Sequence, residues 1–182
     1  YNFVNLLKST GVKTFIIHAR KAMLGKFTPK QNLNIPPLKY EMVYKLKKDF
    51  KDLEIIINGG VTSVDQIKNH LKIVDGTMIG RSVYHSPYML ADIEKEIFKN
   101  ENVLSREEVI KELIPYVKNE TKKGTRLNQI MRHTLGLFHG KTGSSFWKRY
   151  LSENMCVRDA DVKKIDHIMD KVKLAPQARS AG

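Results

Sequence analysis

Three short clusters in the 182-residue chain are suited to chemistry: His18 with Arg20 and Lys21 just after it, Asn58-Gly59-Gly60, and Gly80-Arg81. Each follows a segment that reads as a strand: the apolar, β-branched run 12–17, which reads as buried, then 54–57 and 76–79. Glycine lets a backbone N–H come close to an anion, an adjacent helix N-terminus adds a favourable dipole, and arginine supplies a charged fork. Either glycine cluster alone would be no more than a tight turn or a strand break. Both at consecutive strand ends describe a phosphate cradle, with the His18 imidazole and two cations at its mouth. No acid, base or nucleophile can be assigned from spacing. His70, His85, His133, His139 and His167 lack metal-ligand spacing, so no metal is expected, and Cys156 adjoins none of the strand ends.

Stepping outward from these clusters, residues 1–8 read as an amphipathic helix, and Met42, Val43, Leu46 and Phe50 recur at helical spacing over 41–50. Ser63 to Gln66 has the spacing of a capping box opening a helix to about Leu71, and Ser86-Pro87 offers an N-cap and first-turn proline for a helix to about Phe98. A helix followed by three βα units argues for a parallel sheet with right-handed crossovers, its strands nearly all apolar because helices cover them. The irregular stretch 19–40, with Gly25, Pro29, Pro36 and Pro37, is too long for an idle connection.

After residue 100 the pattern is helical only. Ser105 to Glu108 is a capping box ahead of a stripe of Val109, Ile110, Leu113, Ile114 and Val117, and Pro115 should kink that helix. Further helices are expected over 126–138, 146–151 and 161–174, with 175–182 frayed. Phe138, Phe146, Trp147 and Tyr150 fall at helical spacing and read as core, not as base-stacking platforms. The expected fold class is α/β: the C-terminal three βα units of a (β/α)8 TIM barrel over residues 1–100, then an all-α domain over 101–182. A whole barrel takes ~250 residues, so the chain is expected to begin inside a larger protein.

With 41% hydrophobic and 28% charged residues the composition is globular, and no apolar run approaches the ~20 residues of a membrane helix. One cysteine excludes an intramolecular disulfide and fits a reducing, cytoplasmic setting. Thirty-two basic against 19 acidic residues leave +13, shared as +7 and +6 on the two sides of residue 100. A polyanionic partner is the natural inference, but not through a separate basic tail.

His18-Ala-Arg-Lys-Ala22, Pro29-Lys-Gln-Asn32, Ile35-Pro-Pro-Leu38, Ile57-Asn-Gly-Gly60, Asp75-Gly76 with Gly80-Arg81, Arg132-His133 with Leu135-Gly-Leu-Phe138, and Trp147-Lys-Arg-Tyr-Leu-Ser-Glu-Asn154 together resemble the A type of tRNA-dihydrouridine synthases. The resemblance covers nearly the whole chain, in order and at consistent spacing. It implies an FMN-dependent enzyme that reduces uridines in the D-loop of tRNA to dihydrouridine, with NADPH recharging the flavin, built as a flavin-holding barrel and a helical tRNA-binding domain. It also implies that His18 contacts FMN, and that Asn58, Gly59, Gly60, Gly80 and Arg81 hold its ribityl phosphate end. Lys30, Lys148 and Arg149 match tRNA-facing positions, while Leu33 and Ser145 stand where bacterial A-type relatives tend to carry arginine. The family's catalytic cysteine, and a lysine and glutamine that contact flavin and base, belong to earlier strands, so no catalytic residue is expected in this chain and the N-terminal part of the barrel is needed for activity. Cys156 lies outside any matching motif. Two other readings remain: a flavin barrel acting on a small pyrimidine, and a non-enzymatic RNA-binding module.

Overall fold

The computed structural model describes residues 1–155. The expected helix over 161–174, the frayed end and Cys156 lie outside them. Two compact units divide the chain, Tyr1–Gly80 and a second beginning at Arg81.

The first unit runs α1 (Asn2–Ser9), β1 (Thr14–His18), α2 (Pro29–Asn32), α3 (Tyr40–Asp49), β2 (Glu54–Asn58), α4 (Val64–Leu71) and β3 (Gly76–Met78). The strands form a parallel sheet in the order β1-β2-β3, with His18 opposite Asn58 and Asn58 opposite Met78. Successive side chains alternate between faces. Phe15, Ile55 and Ile57 are buried with Val4 of α1, Val43 and Leu46 of α3, and Leu53. On the other face Ile16 is 56% and Met78 45% exposed, so among the described residues helices cover one face of these apolar strands and not both. At the amino end of the sheet Asp75 clasps β2: its N–H donates to Ile55 O (3.0 Å) and its Oδ2 accepts the Ile55 N–H (2.8 Å). Burial pushes the Asp75 carboxyl up, but the Lys47 ammonium 2.8 Å away and the Ile55 N–H outweigh it and hold the carboxyl below its usual range.

The second unit contains α5 (Arg81–His85), α6 (Met89–Glu96), α7 (Arg106–Lys122), α8 (Leu127–Met131), a 3₁₀ turn over Arg132–Thr134, and α9 (Ser144–Asn154). Its core gathers Ile110, Val117, Met131, Phe138, Trp147 and Leu151. The reciprocal capping box of Ser105 and Glu108 is present, and α7 continues through Pro115. Two expectations fail here. Ser86-Pro87 does not open α6, because the Ser86 N–H is bonded back to Ser82 O (2.9 Å) as the last turn of α5. The helix expected over 126–138 stops at Met131: the Thr134 carbonyl accepts the Trp147 indole N–H (2.9 Å), and a Cβ on Gly136 would lie 2.0 Å from His85 O. That backbone-to-backbone approach requires glycine and bends the chain away from a helical path.

Candidate functional site

Parallel strands align their carboxyl ends, so His18 and Asn58 stand on one rung, with Met78 across from Asn58 on β3. The pairing continues one step beyond β1, where the Ala19 N–H donates to Asn58 O at 2.7 Å. The chain then turns through Gly59 (φ 118°) and Gly60 (φ 70°), in the left-handed half of conformational space. A Cβ on Gly59 would stand 3.3 Å from both His18 Cε1 and Leu38 Cδ2, and one on Gly60 only 2.5 Å from Leu38 Cδ1. Gly80 differs: among the described residues other than its chain neighbours, nothing lies within 4 Å of where its Cβ would be. Glycine is compelled by the chain itself at 59 and 60, whereas at 80 it leaves open space. A backbone-built turn beside an open position fits the close approach of a phosphate-bearing ligand.

His18 is exposed, and its Nδ1 accepts the Arg20 N–H at 3.2 Å, so a neutral ring carries its proton on Nε2. A Gly59 Cβ would be 3.5 Å from that Nε2, which brings the imidazole against the glycine turn. Beside His18 lies a cleft of about 330 Å³ lined also by Ile17, Ala19, Arg20, Lys39 and Met42. Arg20 is more than a cation at the pocket mouth: its Nη1 donates to Asn34 O (3.1 Å) and to Pro36 O, binding the long loop to the end of β1. The loop is closed by Lys39 N–H to Ala19 O at 2.7 Å and braced inside by Met23 N–H to Asn32 Oδ1 at 2.8 Å. Within it α2 has Pro29 in its first turn and a reciprocal capping box of Thr28 and Gln31. Thr28-x-x-Gln31 carries the sequence signature of that box. It presents Lys30 and the 42%-exposed Leu33 at the surface.

The Ser63 hydroxyl caps α4 by accepting the Gln66 N–H (3.2 Å), and Gln66 Oε1 accepts the Thr62 N–H (2.8 Å) just before the helix. Arg81 is the exposed first residue of the five-residue α5, too short for a substantial macrodipole.

In the second unit, Ser145, Lys148 and Arg149 are exposed at spacings that place them on one face of α9, while Trp147 and Leu151 are buried. Phe138 packs on Trp147 with ring centroids 5.0 Å apart, and Phe146 and Tyr150 flank that core, as their spacing predicted. A surface cluster also forms here: His133 Nε2 accepts from Arg132 Nε (3.2 Å), and His133 Nδ1 is 3.2 Å from the hydroxyl of Tyr84, itself 56% exposed. No periodicity joins residues 84 and 133. Among the described residues, no helix is long and apolar enough to cross a membrane.

A family model described as dihydrouridine synthase (Dus) matches residues 1–173. A protein of Synechocystis sp. is 46% identical over 160 residues, covering 87% of this chain and 48% of the relative. One of Shewanella oneidensis is 45% identical over 165 residues (90% and 49%), and one of Escherichia coli K12 is 43% identical over 173 (94% and 50%). Each of the three bears the name tRNA-dihydrouridine(20/20a) synthase. The chain spans about half the length of the curated relatives it matches.

Proposed function

The chain belongs to the dihydrouridine synthase family, and on that premise we propose that it is part of an FMN- and NADPH-dependent enzyme that reduces uridine to 5,6-dihydrouridine in the D-loop of tRNA. The relatives' names suggest position 20 or 20a. The observation that carries the reading is the meeting of His18, Asn58 and the Gly59-Gly60 turn at the carboxyl end of one parallel sheet, in a chain with this family membership. We read residues 1–100 as the last three βα units of a flavin-binding (β/α)8 barrel, and residues 101–182 as a helical tRNA-binding domain. The exposed sheet face of Ile16 and Met78 supports this, because other strands of a barrel would cover it. Activity then needs the N-terminal part of the same barrel, which contributes the catalytic groups.

Bound FMN would supply hydride chemistry to the uracil ring, with NADPH as the reductant. The chain's own residues bind and orient. Gly59 and Gly60 offer a turn free of Cβ atoms, Gly80 leaves room, and Arg81 adds a charge-assisted contact to the phosphate worth ~1.5–3 kcal/mol. His18, its Nδ1 accepting the Arg20 N–H, stands against that turn. Lys30, Leu33, Ser145, Lys148 and Arg149, all exposed, form the tRNA-facing set. The lysines and Arg149 neutralise phosphates, while Leu33 and Ser145 can shape the fit but add no charge.

The test is flavin content and NADPH-dependent dihydrouridine formation in the full-length enzyme. Arg81→Ala should purify with much less FMN than Lys30→Ala. Equal flavin in two folded variants would contradict the assignment, and turnover of free uridine with none on tRNA would favour a small-molecule enzyme.

A further inference from the structure

We propose that Tyr40, backed by His70, is the positioning residue that holds the Gly59-Gly60 turn in its anion-accepting form. The inference rests on the flavin reading above and extends it to two residues that no motif marks. The Tyr40 hydroxyl donates to the Gly59 carbonyl at 2.8 Å. A peptide unit is planar and trans, so fixing the Gly59 C=O towards Tyr40 aims the Gly60 N–H of the same unit the opposite way. Two consecutive glycines have little steric preference of their own, and this peptide could flip without such an anchor. Burial raises the Tyr40 pKa, with the nearby Arg20 charge opposing, so the hydroxyl remains a donor throughout the neutral range.

Tyr40 is itself held. Its ring meets His70 edge-on, with centroids 4.6 Å apart and an interplanar angle of 69°. His70 is 4% exposed and pairs through Nδ1 with the Tyr44 hydroxyl at 2.7 Å. Tyr44 and Tyr40 lie one turn apart on α3, and His70 reaches them from α4. The two helices behind the sheet thereby clamp one ring whose hydroxyl sets one peptide of the turn.

Tyr40→Phe removes only the hydroxyl. In the full-length enzyme stripped of flavin, affinities for FMN and for riboflavin, which lacks the phosphate, separate positioning from packing. The expected result is FMN binding weakened about threefold to tenfold, the worth of one hydrogen bond, with riboflavin binding unchanged. His70→Ala should lower the FMN-to-riboflavin preference in the same direction, and His70→Phe, which restores a ring against Tyr40, should recover it. Equal weakening of both flavins, or of neither, by Tyr40→Phe would overturn the positioning role and leave the flavin reading standing. Failure of the parent enzyme to prefer FMN over riboflavin would overturn both together.

Discussion

The end of β2 and the core behind α9 are both tightly fitted, but in opposite senses. At α9 the fit is made by side chains: Trp147 is fully buried, its ring tilted against Phe138, with its one polar side-chain atom bonded to the Thr134 carbonyl. At β2 side chains are withdrawn from the turn, and Leu38 and Tyr40 pack against the glycine backbone. The first arrangement stabilises the unit it belongs to. The second is a turn with no side chains of its own, Gly59 buried and Gly60 half-buried, so substitutions in the two places should fail in different assays.

The largest effect is expected at the helical core. Trp147→Ala removes a buried aromatic side chain and leaves the Thr134 carbonyl without its indole donor, a loss of about 3–5 kcal/mol. Denaturant unfolding of the full-length protein measures it, and a change below about 1 kcal/mol would remove Trp147 from the centre of that core.

The glycines sharpen the contrast within the site itself. Gly60→Ala places a Cβ 2.5 Å from Leu38 Cδ1 at a φ of 70°, so about 1–2 kcal/mol of stability should go along with flavin binding. Gly80→Ala meets none of the described residues beyond its chain neighbours, so stability should stay within about 0.5 kcal/mol of the parent while flavin retention falls. Thermal unfolding alongside flavin absorbance distinguishes them. Full flavin retention in Gly80→Ala would mean the open space at that position is not used.

A smaller effect separates the two units by pH. Burial lowers the His70 pKa, so its neutral ring contributes stability that is fully present above the unfolded value near 6.5 and is lost as pH falls through the folded value. In the second unit, Glu108 is held below its usual range by the Ser105 backbone and hydroxyl, so its contribution survives to lower pH and is lost only as the carboxyl protonates. Stability measured between pH 7.5 and 5.5 should decline in the parent and flatten in His70→Phe. An unchanged slope in that variant would show that His70 does not titrate as its burial implies.

Features set by local residue patterns are legible in the chain, and those set by packing are not. The first two strands were legible because β-branched residues cluster in them, although the ladder carries β1 and β2 one residue further, to His18 and Asn58. The Ser105 cap was legible because both partners of the box are local. Ser86-Pro87 is ambiguous because proline is favoured both in a helix's first turn and just past a helix's end, and here it follows α5. Neither the Tyr40 bond to Gly59, 19 residues away, nor the packing of His70 on Tyr40 leaves any periodic trace, since both arise from helices packing behind a sheet. The covered and open faces of the strands were equally invisible, because both are apolar in sequence.

The smallest single-residue effects should fall on the exposed cations of the proposed tRNA surface. Lys30 stands on a capped turn in the first unit and Lys148 on the outer face of α9 in the second, so each tests one side of the comparison. If each neutralises one phosphate, its replacement by alanine removes about one counterion-release unit, and the slope of log affinity against log salt should become shallower by about 1. The loss should be similar for different tRNA sequences, because phosphate contacts carry no base information. Neither substitution touches packed side chains, so flavin content and thermal unfolding should match the parent. Affinity of the full-length enzyme for tRNA at several salt concentrations decides the matter. A shallower slope for Lys148→Ala alone would confine RNA binding to the second unit, and superimposable plots for all three proteins would leave the chain's excess of 13 positive charges without the role proposed for it.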